Sequence, residues 1–244
     1  MKIDAIAVHL RPRSMSEATD LGVRLVQANA RSVWASFTPV WAVVALVALA
    51  SGGIATWLPS LVIFCMKPWL DRTLLFVLSR AVFGTPTRLR DVWGAQRDVW
   101  WQQWFSTLTW RRLSPWRSYT QPSRQLEGVR GAAGRARRKQ LLNGKHGAAF
   151  GMHSVFAQTE MLLLIGLMAL AVWFAPEGAQ LTMMDALFKS DSPTVSMLIA
   201  AAYAAMVLLV EPFYVGAGFA MYLNRRVELE AWDIEQEFRL AFAA

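Results

Sequence analysis

The chain has 244 residues, is 55% hydrophobic and carries a formal charge of +8. Its apolar share exceeds the about 45–50% usual for a soluble domain. The apolar residues gather in long blocks separated by basic stretches, which is the pattern of a membrane protein rather than a globular core. The single cysteine, Cys65, excludes an intramolecular disulfide and a cysteine zinc site.

Residues 1–32 read as a polar, basic, cytoplasmic arm. Met1-Lys2-Ile3-Asp4 lacks the apolar stretch of a secretory leader, so insertion is expected to use the internal segments. Ser14 and Glu17 fit a capping box, and Glu17 to Arg31 places Ala18, Leu21, Leu25 and Ala28 on one side of an amphipathic helix. Residues 33–83 follow as a first helical hairpin and an interfacial segment. Val33 to Ala50 is an uncharged span with a kink at Pro39. Ser51-Gly52-Gly53 is a tight turn, and a second span runs from Ile54 to about Trp69, with Lys67 reaching for the interface. Leu74 to Phe83 is then expected to lie at the interface.

Residues 84–151 form a basic, Trp-rich cytoplasmic region. Trp93, Trp100, Trp101, Trp104 and Trp110 have partly helical spacing, as in a helix lying at headgroup level. Arg111 and Arg112, then Arg135, Arg137, Arg138 and Lys139, follow them. Together with Trp100, Trp101 and Trp104 these are the candidate contacts with anionic lipid. A membrane tether beside so many tryptophans favours lipid over nucleic acid. Residues 152–223 form a second transmembrane pair: Met152 to Phe174, then a helix from about Val195 to between Val215 and Tyr222. Residues 224–244 form an amphipathic cytoplasmic tail. The expectation is an all-α integral membrane protein of about four transmembrane helices with amphipathic interfacial helices.

Charge sets the orientation. In this four-span arrangement 24 of the 25 Lys and Arg residues fall on one side, and basic loops stay cytoplasmic. Both termini are therefore expected in the cytoplasm.

No phosphate-binding loop, H-E-x-x-H, G-x-S-x-G or dinucleotide fingerprint occurs. Two acids, Glu160 and Glu211, lie inside spans, where an ionised group needs a partner. Helical rise puts both in the cytoplasmic half, with Lys67 and Arg72 as natural counter-ions. The pattern fits a proton or cation relay, or a polar clasp between helices. His146, His153 and Glu160 recur every seven residues, about 10 Å apart, too far for one metal ion. Neither a metal nor a cofactor is expected. The small residues of the last span, Ala200 to Ala205 and Gly216 to Ala220, suit close helix packing.

Several segments carry a resemblance. They are Lys67-Pro68-Trp69-Leu70-Asp71-Arg72, Phe76 to Gly84, Trp110 to Pro115, Leu126-Glu127-Gly128 and Glu211-Pro212-Phe213-Tyr214-Val215-Gly216-Ala217-Gly218-Phe219. Tyr222 to Arg226, Leu229-Glu230 and Trp232 to Glu235 complete the set. Together they resemble a group of uncharacterised inner-membrane proteins of Gram-negative bacteria. The resemblance implies that location. It also implies company, because the genes of that group lie near those of MoxR-type AAA+ ATPases and other envelope proteins. It implies no activity. The expected function is a non-enzymatic membrane scaffold or accessory subunit of an envelope-related assembly. The alternative is a small proton- or cation-coupled transporter or channel using Glu160 and Glu211. A third is a membrane enzyme on lipid-linked phosphates, with Arg72, Arg80 and Arg112 as phosphate binders.

Overall fold

Ser14 opens the first helix, α1 (Met15–Ala28). Its Oγ accepts a hydrogen bond from the Glu17 amide (3.2 Å), satisfying one of the donors a helix start leaves open. The Glu17 carboxylate pairs with Arg13 at 3.1 Å. The computed structural model describes residues 12–101, 114–176, 178–189 and 192–230, and among these every regular element is helical.

Asn29 separates α1 from α2 (Ala30–Ala50), which contains Pro39 and ends in the expected tight turn, Ser51–Gly53. Helix α3 (Leu58–Ala81) begins with Pro59 in its first turn, where a missing N–H costs nothing. It does not stop near Trp69. The charged stretch from Lys67 to Arg72 stays helical, and Leu74, Leu75, Val77 and Leu78 are enclosed by protein. Leu74 to Ala81 is therefore continuous with the rest of α3 and packed against protein rather than a separate helix. The physical reason is that the charges at 67, 71 and 72 find partners on other elements, so none has to leave the helix to reach water.

Two short elements follow, α4 (Leu89–Gly94) and a π-helical turn at Arg97–Trp101. The rest of the expected Trp-rich helix lies outside the described residues. Next come α5 (Arg117–Gln125) and α6 (Gly131–Leu142). The corner between them uses Gly128 and Gly131 at positive φ, which only glycine adopts without strain. Helices α7 (His146–Trp173), α8 (Gln180–Lys189) and α9 (Pro193–Glu230) complete the described chain. The stretch between α7 and α9 thus holds a helix of its own. Tail residues 231–244 lie outside the described residues.

Among the described residues three helical segments are long and apolar enough to cross a membrane: Ala30–Gly53, His146–Trp173 and Pro193–Glu230. Helix α3 has 24 residues, about 36 Å of rise, but also Lys67, Asp71, Arg72 and Arg80.

Helix α9 is the axis of the fold, with α1, α2, α3, α5 and α7 packed around it. Its small residues are used within the chain. A Cβ on Gly22 of α1 would collide with the carbonyl of Gly216, and one on Gly218 would collide with Ser118 of α5. Absent side chains let these backbones touch. Trp41 of α2 donates to the Ala204 carbonyl (3.0 Å), and Trp34 packs edge-on against Phe213. Helix α7 has few buried residues, Ala149 and Met152 among them, and presents the rest of its apolar surface outward.

Candidate functional site

Three of the four ionisable residues expected to meet do so. Lys67 Nζ of α3 lies 2.6 Å from Glu160 Oε2 of α7 and 2.9 Å from Glu211 Oε2 of α9. The fourth position is taken by a residue from outside the spans, Arg117 at the start of α5. It sits 2.9 Å from Glu211 Oε1 and 2.7 Å from Asp71 Oδ2. The result is a chain of charges, Glu160–Lys67–Glu211–Arg117–Asp71, across four helices. Asp71 and Glu211 have side chains only 1% exposed. Lys67 and Glu211 each stand directly before a proline inside their helices.

An aromatic shell holds Arg117 in place. Its guanidinium lies over the Tyr214 ring, 5.5 Å from the centroid. Ser118 Oγ donates to the Tyr214 carbonyl at 2.8 Å, the contact that Gly218 permits. The Tyr214 hydroxyl lies 3.1 Å from His153 Nδ1 on α7. Burial opposes the charge on Arg117. The neighbouring Asp71 carboxylate, with Tyr214 and Glu211, outweighs that and holds the guanidinium more firmly protonated than an ordinary arginine.

The five groups are three carboxyl groups and two cations. Asp71 is the odd member. Arg117 Nε is close to its Oδ2, yet neither Asp71 oxygen has an aligned hydrogen bond. Beside the cluster lies a cavity of about 440 Å³, lined by Lys67, Arg117, Glu160 and Glu211 together with His153, Tyr203 and apolar residues.

No protein-family model, curated protein or solved structure matches the chain. The site therefore has to be read from its own chemistry.

Arg72 lies elsewhere than expected. It donates to the carbonyls of Asp98 (2.7 Å) and Val99, fastening the π-helical turn to α3. Helical geometry explains this: Asp71 lies about 40° round the helix from Lys67, but Arg72 about 140°. Arg80 lies over the Phe76 ring at 5.7 Å, and Arg112 is outside the described residues. The expected arginine phosphate site is not assembled among the described residues.

The expected lipid-contact set divides. Trp101 is exposed, but Trp100 is buried; it donates to Thr73 Oγ1 (3.0 Å) and packs on Trp69. Trp104, Arg111 and Arg112 lie outside the described residues. Arg135 and Lys139 are exposed. Arg138 donates to Ser114 Oγ at 2.9 Å. Arg137 belongs to a second ionic network. It grips Glu127 with two bonds of 2.9 Å and reaches Glu230 near the end of α9. Tyr222 donates to Glu127 (2.5 Å), and Arg226 pairs with Glu230 (2.5 Å). Arg137 and Trp100 are thus used within the protein rather than offered to a membrane surface.

Sequence reasoning missed Arg117 and Asp71. Asp71 had a legible signal: it follows Lys67 by one helical turn and so shares its face. Arg117 had a weaker one. On α5 it is followed by the uncharged run Ser118 to Ser123, with Arg124 the next charge.

Proposed function

We propose that this chain is a non-enzymatic component of the bacterial inner membrane, a scaffold or accessory subunit of an envelope-related assembly. The observation that carries this reading is how the cluster is wired. Each cation joins two carboxylates from two different helices: Lys67 ties α7 to α9, and Arg117 ties α3 to α9. Such wiring fixes helix positions. Breaking one partner of a buried pair is costly, about 3–5 kcal/mol, so the arrangement resists rearrangement. The resemblance to the Gram-negative inner-membrane group supports the location and suggests a membrane protein or a MoxR-type AAA+ ATPase as partner.

In this reading four helices cross the bilayer, α2, α3, α7 and α9, and both termini are cytoplasmic. Support for α3 as the fourth is its length and the enclosure of its charges by other helices. Support for the orientation is the one-sided distribution of Lys and Arg. With Cys65 replaced, cysteines at Ile54 and Leu181 should react with an impermeant reagent applied from outside. One at Arg135 should react only after permeabilisation. The reverse pattern would overturn the orientation.

The decisive experiment is purification from native membranes in mild detergent. A specific membrane or AAA+ partner in near-stoichiometric amount is the expected result. Recovery of the chain alone would overturn the accessory-subunit reading.

One observation favours a second reading, a proton- or cation-coupled transporter. The cluster has three carboxyl groups, and the cavity reaches Glu160 and Glu211. Proteoliposomes showing a pH-dependent flux that Glu160→Gln and Glu211→Gln abolish would establish it.

A further inference from the structure

Glu160 has its partner on α3, but the polar residue two positions before it has none. Gln158 is exposed, and among the described residues nothing bonds to its carboxamide. The neighbouring Thr159 is satisfied, its hydroxyl donating to the Val155 carbonyl at 2.8 Å. Two residues turn a helix by about 200°, so Gln158 points about 160° away from Glu160 and the ionic cluster. Ala157 and Leu164, which line the cavity, lie on the Glu160 side of α7. Gln158 stands about 18 Å from His146 and about 22 Å from Trp173, the two ends of the helix. That is too deep in a span for so short a side chain to reach either surface. Lipid tails offer a carboxamide neither donor nor acceptor, and leaving it without a partner there is costly.

Gln158 also falls within a repeat. Gly151, Val155, Gln158, Leu162 and Ile165 follow one another at alternating steps of four and three residues, the seam by which two helices pair. Val155 is 60%, Leu162 64% and Ile165 54% exposed. A Cβ on Gly151 would meet nothing, whereas one on Gly22, Gly216 or Gly218 would collide with a neighbouring helix. The room that Gly151 leaves for a close approach is therefore unused within the chain. Self-complementarity selects the occupant. Copies of one chain insert with the same orientation, so a twofold axis along the membrane normal sets each residue of α7 against its own equivalent. A carboxamide is donor and acceptor at once and so matches a second carboxamide at the same depth. A different protein would have to bring a polar group of its own to that level.

We propose that the chain forms a homodimer in the membrane through this face of α7, with the two Gln158 side chains hydrogen-bonded to each other. The proposal rests on α7 crossing the bilayer and not on the scaffold role. Labelling at Arg135 and Leu181, on the two sides of α7, tests that crossing separately.

The test uses the full chain in native membranes, with Cys65 replaced by Ser and single cysteines on α7 oxidised by copper phenanthroline. Val155→Cys and Leu162→Cys should each cross-link into a dimer, because a disulfide forms only where Cα atoms come within about 7 Å. Leu163→Cys, about 140° round the helix from Gln158, should stay monomeric. These side chains are exposed, so the substitutions leave the chain's own packing intact. The purified chain is then diluted into liposomes over a range of protein-to-lipid ratios. Gln158→Leu should dimerise about tenfold more weakly than wild type, the scale of a side-chain hydrogen-bond pair between membrane helices. Leucine suits a lipid-facing position, so a loss of dimer in this variant reports on the contact and not on folding. Equal cross-linking at all three positions, none at any, another protein cross-linked in place of the second copy, or Gln158→Leu dimerising as wild type does would each overturn the proposal.

Discussion

At its middle, α9 presents Glu211 to Lys67 and Arg117. At its cytoplasm-proposed end it presents Tyr222, Arg226 and Glu230 to Glu127 and Arg137. Both networks tie α9 to the polar region between α3 and α7, and both use pairs of about the same length. They differ in surroundings. Glu211 and Asp71 are 1% exposed and Lys67, Arg117 and Glu160 between 11% and 13%, whereas Glu127, Arg137 and Glu230 are between 15% and 26% exposed, so the difference lies in the two inner carboxylates. In the first network the two enclosed carboxylates have little water or salt at hand to replace a lost partner. In the second, water and salt can replace it. Equal distances therefore stand for unequal energies.

The comparison is broken most directly at Glu211. Glu211→Gln keeps the shape but leaves Lys67 with one carboxylate and Arg117 with one. A loss of about 1–3 kcal/mol is expected, because buried donors of Lys67 and Arg117 each lose a charged acceptor. Thermal unfolding in detergent measures it. A melting temperature within error of wild type would mean that the cluster holds little together.

A second variant tests whether packing or charge positions Arg117. Gly218→Val forces α5 away from α9 at Ser118. Overpacking of this kind costs about 1–3 kcal/mol. It should also draw Arg117 out of reach of Glu211. In a double-mutant cycle Gly218→Val and Glu211→Gln should then be less than additive. Strict additivity would show that α5 reaches its place without the close approach.

How much of this was readable from sequence depends on the range of the signal. Glu160, Glu211 and Lys67 stood out because an ionisable group in an apolar block is conspicuous by itself. Their meeting followed from helical rise and antiparallel succession. Arg117 is among sixteen basic residues between Lys67 and Lys145, and which one turns inward is decided by tertiary packing at Gly218 and Tyr214. The expected break of α3 had the same origin. A charge inside an apolar run reads as an exit to water unless its partners are known, and here they come from residues 26 to 144 positions away in sequence. Trp100 and Arg137 read as surface residues by composition, yet a Thr73 hydroxyl and a Glu127 carboxylate take them inward.

Asp71 sharpens the comparison within the buried network itself. It is as enclosed as Glu211, but its oxygens have no aligned hydrogen bond and it joins one cation where Glu211 joins two. Asp71→Asn leaves Lys67 both of its carboxylates and Arg117 its pairing with Glu211. A cost of about 1 kcal/mol is expected, the scale of a single hydrogen bond rather than of a buried ion pair. Equal losses for Asp71→Asn and Glu211→Gln would mean that burial alone sets the energy and that the number of cations a carboxylate joins does not.

Arg137→Ala should have the smallest effect, below about 1 kcal/mol, despite removing two bonds to Glu127 and one to Glu230. Water can solvate the two carboxylates left behind, and Arg226 remains beside both, at 3.6 Å from Glu127 and 2.5 Å from Glu230. Salt separates this loss from the others. At about 1 M the Debye length falls to about 3 Å, so exposed charges no longer act on one another. The difference between Arg137→Ala and wild type should then shrink toward zero, while that of Glu211→Gln persists. A salt-insensitive loss in Arg137→Ala would place the outer network in the same energetic class as the inner one, with the region between α3 and α7 pinned to α9 at both levels.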